Sequence, residues 1–393
     1  MTVLDSTAVS HGDPSRRATA PLSVELTSDL DLGFEDAVAL DRILASRSEI
    51  AVFVSRPWLS GFLGDAPDGV EPGFVIFRQR GALRGIAPIA IRKTRTHVRV
   101  SLLGGSFGSD RVDVIAARGF EAAASDVFVQ WLGDRFGRTG FVLELRDVPA
   151  ESPLWGAIHR ALEEGKLRGA LQPRGISTLP YLDLQERPGT ALSDSAASQS
   201  ARSLEKHRRW LENRCQLRID VLDERGEVMD AFGSLVDFLH VRWRGAPDGS
   251  VLDDARTRRF HQTALPLLLA AGSLRMIRLS ADGVRTIAVF YGIASGPWWG
   301  YYLCGYDREW AGRIHLGQVA LAAAIDCARA EGAREFDFLK GAHRNKYAWP
   351  VRERTTLDAD LFSDRSGAQL LRATRATRDA AAAAGKAARH LFS

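Results

Sequence analysis

The 393-residue sequence predicts an α+β protein made of two similar halves, each a mixed sheet flanked by helices. Three observations predict it. First, a strand–turn–strand pattern at Gly73–Arg78 and Leu83–Ile89 recurs at Leu274–Leu279 and Val284–Phe290, so that Arg84 maps onto Arg285 at an offset of 201. Second, a helix from Phe120 to Phe136 followed by a strand at Phe141–Leu145 recurs as a helix from Gly317 to Glu331 and a strand at Phe336–Leu339. Glu144 then maps onto Asp337 at an offset of 193. Third, the stretch from Trp298 to Pro350 reads as an aromatic strand, a Gly-containing loop, a helix and a second strand, which is a crossover unit. Nearly constant offsets over matching elements indicate a duplicated unit.

Taken in order, residues 1–20 are rich in Ser, Thr, Arg and Pro and read as a disordered leader. A first domain is expected over 21–175 and a second over 176–365, with the boundary near Pro173 to Pro180, before the strand Tyr181–Leu184. The second half is expected to run as a helix Ser200–Asn213, a strand Leu217–Leu222 and helices Glu227–Arg244 and Asp254–Ala271. The hairpin, the aromatic strand and the crossover follow. Helices first, then a hairpin and a strand–helix–strand unit describe an α+β domain with a mixed sheet. Residues 366–393 are Ala- and Arg-rich and form a basic C-terminal helix, read as solvated or packed, with membrane-surface contact the alternative.

Composition narrows the class. A hydrophobic fraction of 45% with 25% charged residues is that of an ordinary globular protein. Arg far outnumbers Lys, which suits anionic small ligands. The net charge is only +4, so nothing in the balance calls for DNA. Cys215, Cys304 and Cys327 are far apart and odd in number; they build neither a disulfide framework nor a metal site, and a cytoplasmic location is expected. No apolar run reaches membrane-spanning length.

The loop from Ala311 to Gln318 sits where a strand ends and a helix begins, where free backbone N–H groups hold a pyrophosphate. Gly312 and Gly317 allow close approach, and Arg313 and His315 add charge; an ordinary helix N-terminus is the alternative. Tyr302 and Tyr306 lie near the loop end of the aromatic strand, where a phenol is placed to protonate a leaving thiolate. The polar cluster Lys340–Trp349, which holds His343, Lys346 and Tyr347, follows a strand end, a favoured place for sites. His343 titrates near neutrality and is the candidate base; a solvated loop histidine is the alternative. Asp337 lies in an apolar strand, where a carboxylate needs a partner, and orients a neighbour or does chemistry. The basic helix around Arg208 reads as a solvated face or a surface for a phosphorylated acceptor, and Trp243 reads as a core aromatic with Arg242 pointing the other way. In the first half the equivalent loop, Gly104 to Asp110, carries an acid that disfavours a diphosphate, so one donor site per chain is expected.

With these phrases in place, the chain resembles the CelD-type acetyltransferases of the GNAT superfamily. The entry Pro180–Leu184, the basic helix Lys206–Arg209, Arg242-Trp243, Gly305-Tyr306-Asp307, Phe336–Gly341 and Lys346-Tyr347 with Trp349 carry the resemblance. The same architecture is similar to the Fem-type aminoacyltransferases, which use aminoacyl-tRNA. The resemblance implies tandem GNAT-like domains with mainly antiparallel mixed sheets, acetyl-CoA or another acyl-CoA as donor, and no metal. It implies that Cys304, Gly305 and Tyr306 offer N–H groups to the pantetheine arm. Arg313, His315, Leu316, Gly317 and Gln318 hold the pyrophosphate in that picture. Arg208, Trp243, Lys346 and Tyr347 are the acceptor-binding candidates. Two departures stand out: Arg313 is four residues from Gly317 where the family signature has three, and Ala342-His343 replaces the usual acidic pair. The expected activity is transfer of an acyl group to the amine of a sugar or peptide-like metabolite in polysaccharide biosynthesis. The alternatives are an aminoacyl-tRNA-dependent transferase and a non-catalytic binding module.

Overall fold

The computed structural model describes residues 21–64, 66–67, 69–105, 108–185, 206–246, 249–311, 314–341, 346–365 and 367–375. One continuous sheet of thirteen strands runs through the molecule. The first half contributes β1 (Ser23–Thr27), β2 (Val70–Gln79), β3 (Ala82–Lys93), β4 (Val98–Leu102), β5 (Ile115–Ala116) and β6 (Phe141–Pro149). β7 (Gly169–Asp183) links the halves. The second half contributes β8 (Arg218–Leu222), β9 (Leu274–Ala281), β10 (Arg285–Ser295), β11 (Trp298–Tyr306) and β12 (Glu335–Asp337), and β13 (Arg352–Ser363) closes the sheet.

The duplication is visible in the pairing. From the outer edge inward, β1, β2, β3 and β4 pair antiparallel, β4 and β6 pair parallel, and β6 pairs antiparallel with β13. From the other edge, β8, β9, β10 and β11 pair antiparallel, β11 and β12 parallel, and β12 antiparallel with β7. The local geometry repeats as well. The β2–β3 turn places Arg80 at φ 52° and Gly81 at φ 82°; the β9–β10 turn places Asp282 at φ 54° and Gly283 at φ 71°. Two successive positive φ angles are the mark of the tight hairpin turn whose twist matches the flanking strands.

The sixth strand of each half comes from the other half. β7 follows β6 in the chain yet lies beside β12, and β13 follows β12 yet lies beside β6. β7 and β13 then pair with each other from Arg352↔Tyr181 to Ser363↔Gly169, which seals the halves into one sheet. The expected domain boundary at residue 175 falls inside β7, a strand that both halves share.

Helices cover the faces. α1 (Phe34–Ala45), the short α2 (Ser48–Ala51) and α3 (Arg56–Leu63) share one core with α7 (Arg225–Trp243) and α8 (Ala255–Ala270), so this core spans both halves. Gly61 of α3 has no side chain because a Cβ there would run into the Phe260 ring of α8. The opposite face is covered by α4 (Glu121–Phe136) and α5 (Pro153–Glu163) in the first half. In the second half it is covered by α6 (residues 206–214) and α10 (Leu316–Ala330), with the one-turn α9 (Arg308–Ala311) beside them. Ser55 and Ser152 cap α3 and α5 with their hydroxyls, and Asp254 caps α8. Each such cap contributes about 1 kcal/mol. Residues 367–375 form α11, docked by Arg375, which donates to Glu144 of β6 and Asp360 of β13. No described helix is long and apolar enough to cross a membrane.

Candidate functional site

The site grows from a fork in the sheet. β11 pairs with β12 only at Trp298–Gly300, opposite Glu335–Asp337, and runs on alone to Tyr306 along that edge. The cause is local. Tyr301 and Leu303 face the adjacent residues Gly292 and Tyr291 of β10, so Tyr302 is the extra residue of a β-bulge. A bulge bends its strand and increases the twist, and here it turns β11 away from β12. Past β12, Leu339 adopts a left-handed φ of 56° and swings the chain the other way. The first half carries the same fork: β4 ends at Leu102 soon after pairing with β6, and Asp147 has φ 54° at the matching place.

A carboxylate clamped by arginines sits at the apex of each fork. Glu144 accepts from Arg99 and Arg375, and burial notwithstanding, these contacts hold its pKa below the usual carboxylate value. Asp337 is fully buried; its Oδ1 accepts from the Leu339 N–H at 2.7 Å, and its Oδ2 lies 3.4 Å from Arg354 and 3.9 Å from Arg111. Asp337 therefore fixes the turn that opens the fork, rather than facing a substrate.

On the donor side of the fork, Cys304 is buried, with its thiol pushed up to about 12 by burial, so it stays a protonated packing group. Gly305 packs on α7, where a Cβ would meet Leu235 at 2.8 Å. Tyr306 lies against the first turn of α10: a Cβ on Gly317 would meet its ring at 2.7 Å. Gly317 is thus required by Tyr306 as well as by any ligand. His315 is the N-cap of α10 without a side-chain cap bond, and its carbonyl accepts from the Gln318 N–H at 2.9 Å, so among the described residues only the Leu316 and Gly317 N–H groups have no partner. The His207 ring of α6 stands 5.0 Å from the His315 ring, and Arg242 lies over Tyr306 at 5.1 Å. Leu316 is buried core, and Gln318 is tied through its Oε1 to the Trp349 indole at 3.2 Å. Gly312 and Arg313 lie outside the described residues.

A cavity of 410 Å³ opens between the halves, lined by Gly105, Gly108, Ser109, Asp110, Arg146, Asp147 and Lys340. Asp110 is half-buried, and its Oδ2 accepts from the Lys340 N–H at 2.9 Å. Burial pushes its pKa up to about 6. Lys340 donates to Asp147, and Arg146 is committed to Asp360 and to two carbonyls. Among the described residues, Asp110 is the carboxylate of the cavity without a cationic side chain bonded to it. The cavity reaches the fork through Tyr302, whose hydroxyl donates to the Gly108 carbonyl at 2.9 Å. Burial holds the Tyr302 phenol well above its ordinary pKa, so in this structure it is a tether between the halves.

The remaining expected residues separate. Lys346 is buried and its ammonium bridges the carbonyls of Phe338, Leu339 and Lys340 at 2.7, 3.3 and 2.9 Å, 5.8 Å from the Tyr301 ring centre. Burial lowers its pKa to about 8. It braces the fork from within. Tyr347 is exposed and donates to Glu353, and Arg208 is an exposed partner of Glu212. Trp243 corrects the core expectation: it is 39% exposed, with the Arg242 guanidinium 5.4 Å over its ring, because α7 ends at this residue and carries both side chains past the core. His343 lies outside the described residues. The sequence reading missed Asp110 as a candidate base. Its loop was visible as a Gly-rich segment, but only the strand exchange brings it against Lys340. Among the described residues no group of three or more His, Cys, Asp or Glu side chains could hold a metal ion.

Residues 198–347 match the family described as the acetyltransferase (GNAT) domain. That span holds the fork, α10 and Lys346. No curated protein matches the chain in sequence. The solved structure described as FemX is similar in fold, with a TM-score of 0.56 at 9% identity over 86% of this chain and 96% of that one. The C-terminal domain of a putative lysylphosphatidylglycerol synthetase from Agrobacterium fabrum has a TM-score of 0.50 at 12% identity, over 84% and 95%. At such identities the likeness shows the fold alone. The sheet has two similarly ordered halves, and the match to the acetyltransferase (GNAT) domain falls in the second of them.

Proposed function

We propose that the protein is an N-acyltransferase of the CelD type that moves an acyl group, acetyl in the simplest case, from acyl-CoA to the amine of a small sugar- or peptide-like acceptor. One observation carries the reading: the unpaired edge of β11 and the Asp110 cavity meet at the Tyr302–Gly108 contact. In this reading the thioester lies along β11 beyond Gly300, where N–H groups freed from β12 stabilise the developing oxyanion. The diphosphate lies at the start of α10, near His315, His207 and Arg242.

The acceptor enters as an ammonium ion, drawn by the Asp110 carboxylate, since Lys340 and Asp147 pair with each other and Arg146 is held by Asp360. With a pKa of about 6, Asp110 is ionised at neutral pH yet basic enough to take the amine's proton. The neutral amine attacks the thioester carbonyl, and the tetrahedral species collapses with loss of the thiolate. A thiol of pKa about 8.5 leaves without strong acid help, so the Tyr302 phenol keeps its proton. Holding both reactants in one cleft supplies much of the rate.

The test is turnover of an amine panel, with acetyl-CoA and aminoacyl-tRNA offered separately as donors. Amide formation from acetyl-CoA supports the reading. Transfer from aminoacyl-tRNA alone replaces the donor, and no transfer from either makes the chain a binding module.

A further inference from the structure

A second polar cavity is lined by Arg111, the chain neighbour of the Asp110 that lines the first. Its volume is 370 Å³, and it is lined by Glu49, Arg111 and Glu151 of the first half with Pro297, Trp298, Arg334, Glu335 and Arg354. That is within the usual range for small-molecule pockets, about 300–1,000 Å³. The charges around it balance, three arginines against three glutamates. Their internal pairing is uneven. Arg354 binds Glu335 through both nitrogens, and Arg47 binds Glu49 at 3.2 Å.

Arg111 is different. It is 3% exposed and sits at a left-handed φ of 81°, and among the described residues its Nε and Nη1 have no hydrogen-bond partner. Its carboxylate neighbours stand off: Glu151 is 3.5 Å from Nη2 and Asp337 is 3.9 Å from Nη1. Trp298, 2% exposed on the same cavity, likewise has an indole N–H without a partner among the described residues. Arg334, exposed at the rim, makes no side-chain ion pair among the described residues. Buried donors without acceptors cost about 1–3 kcal/mol each, more when charged. Three of them, on the two residues Arg111 and Trp298 of one cavity, call for a ligand that brings oxygen acceptors.

We infer that this cavity binds a small zwitterion carrying a carboxylate next to an ammonium group, the head group of a free α-amino acid. The carboxylate lies between Arg111 and Arg334 with the Trp298 N–H in reach, and the ammonium lies towards Glu49 and Glu151. A simple anion would draw Arg111 away from Glu151, and a simple cation would leave Arg111 and Arg334 without an acceptor. The zwitterion matches the zero net charge of the lining.

The test is isothermal titration of the full chain, without any acyl donor, using glycine, serine, glutamate and lysine, and acetate and methylammonium as half-ligands. The expected result is one molecule of at least one amino acid per chain, with both half-ligands weaker by about tenfold or more. Arg334→Ala, an exposed change that leaves the core intact, weakens the amino acid by about tenfold or more, whereas Asp110→Asn leaves it unchanged within about twofold. Three outcomes overturn the inference: no amino acid binds, acetate binds as tightly as the amino acids, or Arg334→Ala has no effect. Because no acyl donor or turnover enters the experiment, its result is independent of whether the chain is an acyltransferase.

Discussion

Lys340, one residue past the turn that opens the second fork, places its Nζ 2.7 Å from Oδ1 of Asp147, the left-handed residue of the first fork. The two forks therefore point at each other, and the side chain of one closes the other. The first fork, with the Asp110 and Asp147 carboxylates beside it, is electrostatically unsuited to a diphosphate. The chain is predicted to bind one CoA, in the second half. Native mass spectrometry with CoA reads the stoichiometry directly, and two CoA per chain would contradict the arrangement.

Asp110 also makes a prediction about stability. Its folded pKa of about 6 lies above the value of about 3.9 for an unfolded Asp. The folded state therefore binds this proton more tightly, and ionising Asp110 costs stability above pH 6 that is recovered as pH falls towards 4. Asp110→Asn keeps an acceptor for the Lys340 N–H and removes the charge. Its Tm is expected to exceed that of the wild type at pH 8, and the gap to close at pH 4. Equal Tm values at pH 8 would mean that the carboxylate is not held in a desolvated place.

Tyr302 separates a tether from an acid. Tyr302→Phe removes the hydroxyl that holds Gly108 and is expected to cost about 1 kcal/mol of stability. It loosens the loop carrying Asp110, so KM for the amine is predicted to rise while kcat stays within a few-fold. A fall in kcat of about a hundredfold with unchanged KM is the signature of a lost general acid, and would return Tyr302 to the role of proton donor.

Much of this was legible in the sequence, and the reasons for the rest are physical. The hairpins read clearly because Arg80-Gly81 and Asp282-Gly283 sit between apolar runs, and α10 and β12 read clearly from their periodicity. The exchange of β7 and β13 was not legible: a strand's sequence states its pleat, not which half it joins. The same gap hid the site. Asp110 and Lys340 are 230 positions apart, and only the exchange makes them neighbours. Gly317 was read as a phosphate glycine, yet the ring of Tyr306 already forbids a side chain there. Trp243 was read as core because a helix pattern does not say where the helix leaves the core.

Lys346 is predicted to matter for folding first. Its ammonium satisfies three carbonyls at the end of β12, and Lys346→Met leaves them buried without a donor. A loss of about 1–3 kcal/mol per unsatisfied group is the scale, so urea denaturation should show a lowered midpoint well before any assay of activity. A midpoint equal to that of the wild type would show that the brace is dispensable.

The central claim is that Asp110 takes the proton from an amine attacking a thioester at the β11 fork. The pH dependence of kcat/KM with acetyl-CoA, compared between wild type, Asp110→Asn and His343→Ala, tests it most directly. The wild type is predicted to show an acidic limb near pH 6. Asp110→Asn should lower the plateau by about 10²–10⁴-fold and abolish the limb, while His343→Ala keeps both. An Asp110→Asn protein with the wild-type rate and the same limb, or a His343→Ala protein without it, would contradict the account.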